Sequence, residues 1–361
     1  MGVTAAGAIS RTALLSPMRN ESNAYIAIHR QLLQQAGYDV QPLSIAALAR
    51  GGWKHLLSSG NVLLLHWPEL RPFDFSGDRV RYRLRGWFEW LVYALIVTVS
   101  RAPSVYFVHD HAVHDTQGAT RRVSEWMIAT FGRLCTRRVV HAPGFAQRYR
   151  ANYLPHPLYW DVLEGARLRP DSNRDDPAAS PSSKPRCSIL GAIRRYKGID
   201  GLLEHWPADR ALYIAGSGAP DYVEELVRIV RRRGLDRVVT IEPRFLTEAE
   251  FDERLGSTDV LILPHRPNTM LVSGAFFEAV GRVPVILARS CGFVDWVSTR
   301  LEGVHRFDAD ADIGVAVAAA LDHRSAESAL ADRRTAVQEF GLDACIEAYS
   351  HFLESVSRSG R

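Results

Sequence analysis

Three histidines and two aspartates crowd one short stretch of this 361-residue chain: His109, Asp110, His111, His114 and Asp115. They follow an apolar run, Val105–Val108, that reads as a buried strand. An imidazole or carboxylate on a strand-end loop can take a proton from a bound hydroxyl. Asp110 is the first candidate for such a base and His109 the second. His114 and Asp115 form a further pair, in which the carboxylate would orient the imidazole. Each of these residues also fits a plain loop side chain held by hydrogen bonds. The histidines invite a metal reading too. Zinc sites need a compatible second set of ligands, and no second Cys/His cluster is evident, so no metal is expected.

A second group of residues suits anions. After the apolar run Cys187–Ile193 come Arg194, Arg195, Tyr196, Lys197 and Gly198. Fixed cations at a strand end beside a helix start suit a diphosphate, and a solvated basic turn fits equally well. Gly216-Ser217-Gly218 follows Ala211–Ala215 and would let a ligand approach the backbone, as would any tight turn. Pro264-His265-Arg266 follows Val260–Leu263. Next, Ser273 and Gly274 open a helix that carries Glu278, where a hydroxyl and free amides form another anion site or a simple serine cap.

The elements that must position these groups alternate. Strands are predicted at Ala13–Leu15, Val62–Leu65, Val105–Val108 and Val139–His141, with helices between them. Tyr25, Ile28, Leu32 and Leu33 share one helical face, and Gly37 stands where a C-terminal cap belongs. The stretch from Leu168 to Arg186 is rich in Pro, Ser, Asp and Ala and reads as a linker. The alternation then restarts with Cys187–Ile193, Ala211–Ala215, Val238–Glu242, Val260–Leu263 and Val283–Leu287. Strands alternating with helices imply parallel sheets with right-handed crossovers. The expected fold class is α/β, two Rossmann-like domains facing across a cleft. The expected divisions are 1–167, a linker at 168–186, 187–340, and a C-terminal helix at 341–361 free to pack back on the first domain.

Composition narrows the class. A hydrophobic fraction of 47% and a charged fraction of 23% are those of a globular protein. The net charge of +4 has no concentrated basic tract behind it, so nucleic acid is not an expected partner. Cys135, Cys187, Cys291 and Cys345 form no CxxC pair, which fits reduced thiols in a cytoplasmic protein. Met1 to Arg11 has no sustained apolar run, so no secretory signal is expected. The stretch Trp87–Ser100 is shorter than the roughly 20 apolar residues that span a bilayer. Arg79, Arg81, Arg83 and Arg85 precede Trp87, Phe88 and Trp90. That cluster reads either as a solvated helix entrance or as a peripheral contact with anionic headgroups at the inner face of a membrane.

The ordered set of motifs resembles GT-B glycosyltransferases. In the second half the stretches are LGAIRRYKGIDGLLEHW, LYIAGSG, STDVLILPHRPN and SGAFFEAVGRVPVI; in the first they are LLLHWPE, YFVHDHAVHD and YLPHPLY. These are similar to bacterial exopolysaccharide mannosyl- and glucuronosyltransferases over roughly Asn20 to Trp296. The resemblance implies a nucleotide-sugar donor, GDP-mannose as first choice, with UDP-sugars as alternatives. That donor is a substrate, so no cofactor is expected. It also implies a glycan or lipid-linked acceptor. Arg194 and Lys197 would hold the diphosphate, with Gly216, His265, Arg266, Ser273 and Gly274 lining the donor pocket and Glu278 on the ribose. Asn20, Asn23 and Glu69 would meet the acceptor; an asparagine could instead cap the first helix. The common retaining branch has an arginine directly after the first-strand glycine and two glutamates separated by seven residues. Here Ala192 and Met270 stand at those places, which favours an inverting enzyme with its base in the 109–115 loop. A nucleotide-sugar epimerase and a non-catalytic glycan- or nucleotide-binding protein are the alternatives.

Overall fold

The computed structural model describes residues 11–20, 24–74, 80–160, 186–322 and 326–359. The linker expected at 168–186 lies outside them except for Arg186, as do Asn23 and Arg79. The chain divides into two compact units. Of the described residues, the first takes those up to Tyr159 together with the closing helix from Leu342, and the second takes those from Trp160 to Gly341.

In the first unit, six parallel strands build one sheet: β1 (Arg11–Ser16), β2 (Tyr38–Pro42), β3 (Val62–His66), β6 (Ser104–Phe107), β7 (Arg137–Val140) and β8 (Asn152–Tyr153). Their order is β2-β1-β3-β6-β7-β8. A two-stranded ribbon, β4 (Phe73–Asp74) with β5 (Arg81–Tyr82), stands apart from it. The central strands β1, β3 and β6 are buried along nearly their whole length. This is why they read as continuous apolar runs instead of alternating ones. Edge strand β2 is largely half-exposed and contains a proline, so no apolar run announced it.

The helices are α1 (Tyr25–Gln35), α2 (Ile45–Ala49), α3 (Leu84–Val99), α4 (Gly118–Leu134), α5 (Ala146–Tyr149) and, from the chain's end, α13 (Leu342–Ser359), which packs against α1. Gly37 adopts φ +84°, the left-handed conformation that closes α1 at the expected place. At the other end of α1, the N-cap position is Ala24, with no side-chain cap bond.

The second unit repeats the plan in another order, β11-β10-β9-β12-β13-β14. Its strands are β9 (Cys187–Leu190), β10 (Leu212–Ala215), β11 (Val239–Glu242), β12 (Val260–Leu263), β13 (Val285–Arg289) and β14 (Val304–Phe307). All pairings are parallel. This is the doubly wound order whose direction reverses between the first strand and the fourth, here β9 and β12. The crossovers are α6 (Ile199–His205), α7 (Pro220–Arg232), α8 (Glu248–Gly256), α9 (Gly274–Ala279) and α10 (Gly292–Val297), with α11 (Ile313–Asp322) and α12 (Ala326–Phe340) following the last strand. A capping box starts α8: Glu250 N–H donates to Thr247 Oγ1, and Thr247 N–H donates to Glu250 Oε2. Ile189, Ile214, Ile262, Leu287, Trp206 and Leu226 lie in one buried cluster. Each such side chain contributes about 1.5–3 kcal/mol when fully buried.

Candidate active site

In open parallel sheets, ligands sit beyond the carboxyl ends of the strands, where the winding direction reverses. In the second unit that places the site after β9 and β12. Lys197 lies there, buried, with its ammonium against the backbone at the end of β9. A Cβ on Gly191 would come 3.4 Å from its Nζ. Burial lowers the Lys197 pKa to about 8, and the neighbouring Arg194 charge adds to the effect. Arg194 itself is exposed. The two cations share one loop, and Lys197 has been stripped of water in the company of a like charge. That arrangement suits an anion.

The backbone around them is close-set. Gly216 has φ +146°, and a Cβ on it would sit 2.1 Å from the Gly191 carbonyl oxygen. Gly191 N–H donates to Ala215 O at 3.0 Å and Ile193 N–H to Ser217 O at 2.8 Å, lacing the loops after β9 and β10 together. Gly198, at φ +68°, passes beside Pro264 O, and Arg266 N–H donates to Tyr196 O at 2.9 Å. The loops after β9 and β12 thus meet as the topology requires. Within them the guanidinium of Arg266 is ion-paired with Asp200, and that of Arg195 with Asp221 and Glu225. His265 is buried beside Tyr196, ring centroids 5.8 Å apart. Ser273 is buried at the start of α9 in extended conformation and makes no side-chain cap bond. Glu278, on α9, has its pKa raised to about 7, chiefly by burial; Asp252 and Glu248 add to the rise and Arg282 opposes it.

The first unit gathers more imidazoles than the sequence suggested. His29 from α1, His66 at the end of β3, His109 after β6, His141 after β7 and His156 beyond β8 pack around Tyr25. His66 Nδ1 lies 2.9 Å from His109 Nε2, and the Tyr25 hydroxyl 2.7 Å from His141 Nε2. Burial depresses all five pKa values: His29 to about 3, His141 to about 4, and His66, His109 and His156 well below the usual range. At neutral pH the cluster is uncharged. His29 and His141 carried no signal in the sequence beyond their type. They are brought in because parallel strands end on one side of the sheet. Among the described residues, no group of three or more His, Cys, Asp or Glu has the arrangement of a metal site.

Asp110 is buried, and burial raises its pKa to about 7. Its Oδ1 lies 3.3 Å from His114 Nε2. The histidine expected to pair with Asp115 therefore faces Asp110, while Asp115 is exposed at φ +58°. His111 Nδ1 lies 2.7 Å from the Tyr149 hydroxyl. Glu69 is fully buried and accepts a 2.8 Å hydrogen bond from Tyr106, and burial raises its pKa to about 8. Asn20 lies in the stretch after β1. All four cysteines are free thiols.

No protein-family model matches the chain, and no curated protein matches its sequence. Solved structures do resemble it. Anabaena HepE in complex with UDP and glucose matches with a TM-score of 0.64 at 12% identity, over 96% of this chain and 100% of that one. Escherichia coli trehalose-6-phosphate protein bound with UDP-2-fluoro glucose matches with a TM-score of 0.55 at 12% identity, over 97% and 99%. A glycosyltransferase from Rickettsia africae matches with a TM-score of 0.53 at 14% identity, over 94% and 83%. The fold is that of GT-B glycosyltransferases. The GT-B fold accounts for both six-stranded sheets, and the α/β expectation of two Rossmann-like domains holds.

Proposed function

We propose that this protein is a glycosyltransferase that moves a sugar from a nucleotide-diphosphate donor to a hydroxyl of a glycan or lipid-linked acceptor in polysaccharide assembly, with inversion. The observation that carries this reading is Lys197, a buried ammonium set beside a second cation against glycine backbone at the reversal point of the second sheet. Lys197 and Arg194 hold the diphosphate and stabilise its charge as it departs, the electrostatic assistance expected to dominate such a reaction. Glu278 binds the ribose, and Ser273 and Gly274 line the phosphate pocket. In the first domain, Asp110 takes the proton from the attacking hydroxyl. A base with a pKa near neutrality is well matched to this task, and His114 beside it holds the carboxylate in place.

UDP is the nucleotide to test first, because the HepE and E. coli structures hold UDP or a UDP-sugar. GDP-mannose is the second. Thermal-shift binding of UDP, GDP, ADP and TDP tests the donor site, since a ligand at about 100 times its dissociation constant stabilises by about 2.7 kcal/mol. One nucleotide stabilises the wild type, and stabilises Lys197→Ala clearly less. If none binds where a known transferase responds, the donor assignment fails.

A further inference from the structure

Helix α3 is apolar on both its buried and its exposed face. Gly86, Trp90, Tyr93, Ile96 and Val97 form its buried face. Its outward face repeats Leu84, Phe88, Leu91, Leu95 and Val99, a spacing of three and four that keeps them on one stripe. These five side chains are between 57% and 88% exposed. A surface helix ordinarily carries polar residues there, and a continuous exposed apolar patch marks an interaction site. The stripe is not a frayed end. A Cβ on Gly86 would come 1.9 Å from Arg71 O, so the start of α3 is pressed onto the chain beneath it.

Aromatic rings and arginines border the stripe. Tyr82, Trp87, Trp90 and Trp126 form a chain of ring contacts at 6.1, 6.2 and 5.6 Å, and Tyr82 and Trp126 are about half exposed. Arg81, Arg83 and Arg85 are exposed at one end of α3, and Arg101 is exposed just beyond the other. The only acid on the helix, Glu89, is ion-paired with Arg71 and Arg85. Apolar stripe, amphipathic rings and a cationic margin are the parts of a helix that lies in a lipid interface. Sixteen residues give about 24 Å of helix, short of the roughly 30 Å hydrocarbon core, and among the described residues no helix is long and apolar enough to cross a membrane.

We propose that α3 docks flat on an anionic lipid bilayer, with Leu84, Phe88, Leu91, Leu95 and Val99 in the acyl boundary and Arg81, Arg83 and Arg85 on the headgroups. Charge argues against a second copy as the occupant. Both ends of α3 are cationic, so parallel or antiparallel pairing sets arginine against arginine. This surface stands independently of the transfer reaction proposed above.

The test is sedimentation of the full-length protein with phosphatidylcholine vesicles and with vesicles that also contain phosphatidylglycerol. The wild type pellets with the anionic vesicles and is released by salt. The triple variant Arg81→Gln, Arg83→Gln, Arg85→Gln binds them about 100-fold more weakly, and Leu91→Glu with Leu95→Glu does not pellet. Nucleotide binding survives in both variants, which separates this result from a failure of the donor site. Lipid-borne quenchers reaching the tryptophans of the unmutated protein provide a reading that no folding defect can mimic. The proposal is overturned if the wild type ignores anionic vesicles, or if Leu91→Glu with Leu95→Glu pellets like the wild type. It is also overturned if that variant splits a dimer seen by sedimentation velocity, because a second copy then covers the face.

Discussion

Asp110 and His114 face one another within a single loop, carboxylate oxygen to imidazole nitrogen at 3.3 Å, and the carboxyl is buried with its pKa raised to about 7. A buried carboxyl held near neutrality beside a polar partner is the arrangement a general base requires.

Asp110→Asn should therefore lower the turnover of sugar transfer by on the order of 100- to 10,000-fold while leaving nucleotide binding intact. In the wild type the rate should rise with pH through about 7, because only the ionised carboxylate accepts a proton. A rate–pH profile checks this. A profile flat across that range, or an asparagine variant with near-normal turnover, removes Asp110 from the role.

Lys197 gives a second pH signature. Its pKa is lowered to about 8, so the free protein loses the charge above that pH. Nucleotide affinity should fall as pH rises past about 8. Lys197→Met should weaken binding on the order of 10- to 100-fold, the value of a hydrogen bond to a charged group. Calorimetry across pH checks both. Equal affinity at pH 7 and pH 9 would place the diphosphate elsewhere.

The neutral histidine cluster should make the fold acid-sensitive. A histidine whose folded pKa is depressed binds fewer protons folded than unfolded, so it stabilises above about 6.5 and that stability is lost as pH falls toward about 4. Glu69 and Asp110 act oppositely. Their folded values of about 8 and about 7 hold protons that the unfolded chain releases, so their contribution fades as pH rises to those values. Thermal stability should therefore peak near pH 6.5. His29 is fully buried, and neither ring nitrogen has a hydrogen-bond partner among the described residues. His29→Phe should raise the melting temperature more at pH 5 than at pH 8, by the equivalent of about 2 kcal/mol, because only the unfolded histidine is protonated at pH 5. An equal change at both pH values would mean that His29 is not part of the acid response.

Gly216 has no room for a side chain. At φ +146°, with a Cβ position 2.1 Å from a backbone oxygen, Gly216→Ala must move the loop after β9. A loss of about 2 kcal/mol or more is expected, together with weaker nucleotide binding, because that loop carries Lys197. Denaturant unfolding measures the first and thermal shift the second.

Much of this was legible in the chain itself. Buried strands such as β3 and β12 announce themselves because a strand covered on both faces is apolar throughout, and the alternation with helices then dictates parallel sheets. Gly37 closes α1 where expected because glycine geometry is a local property; Lys197 and the 109–115 loop could be singled out as candidates because charge and strand-end position are local too. The edge strands β2 and β14 were missed, since a half-covered strand such as Val304–Phe307, buried only at its ends, has no run to detect. Pairing was beyond reach as well. His114 meets Asp110, four residues before it, a contact that spacing alone did not announce. Tertiary structure alone decided that His29, His66, His109, His141 and His156, scattered along the chain, share one neutral cluster. It also decided that the apolar stripe of α3 faces outward. Sequence period fixes which residues share a face, while packing against a sheet decides which face is covered.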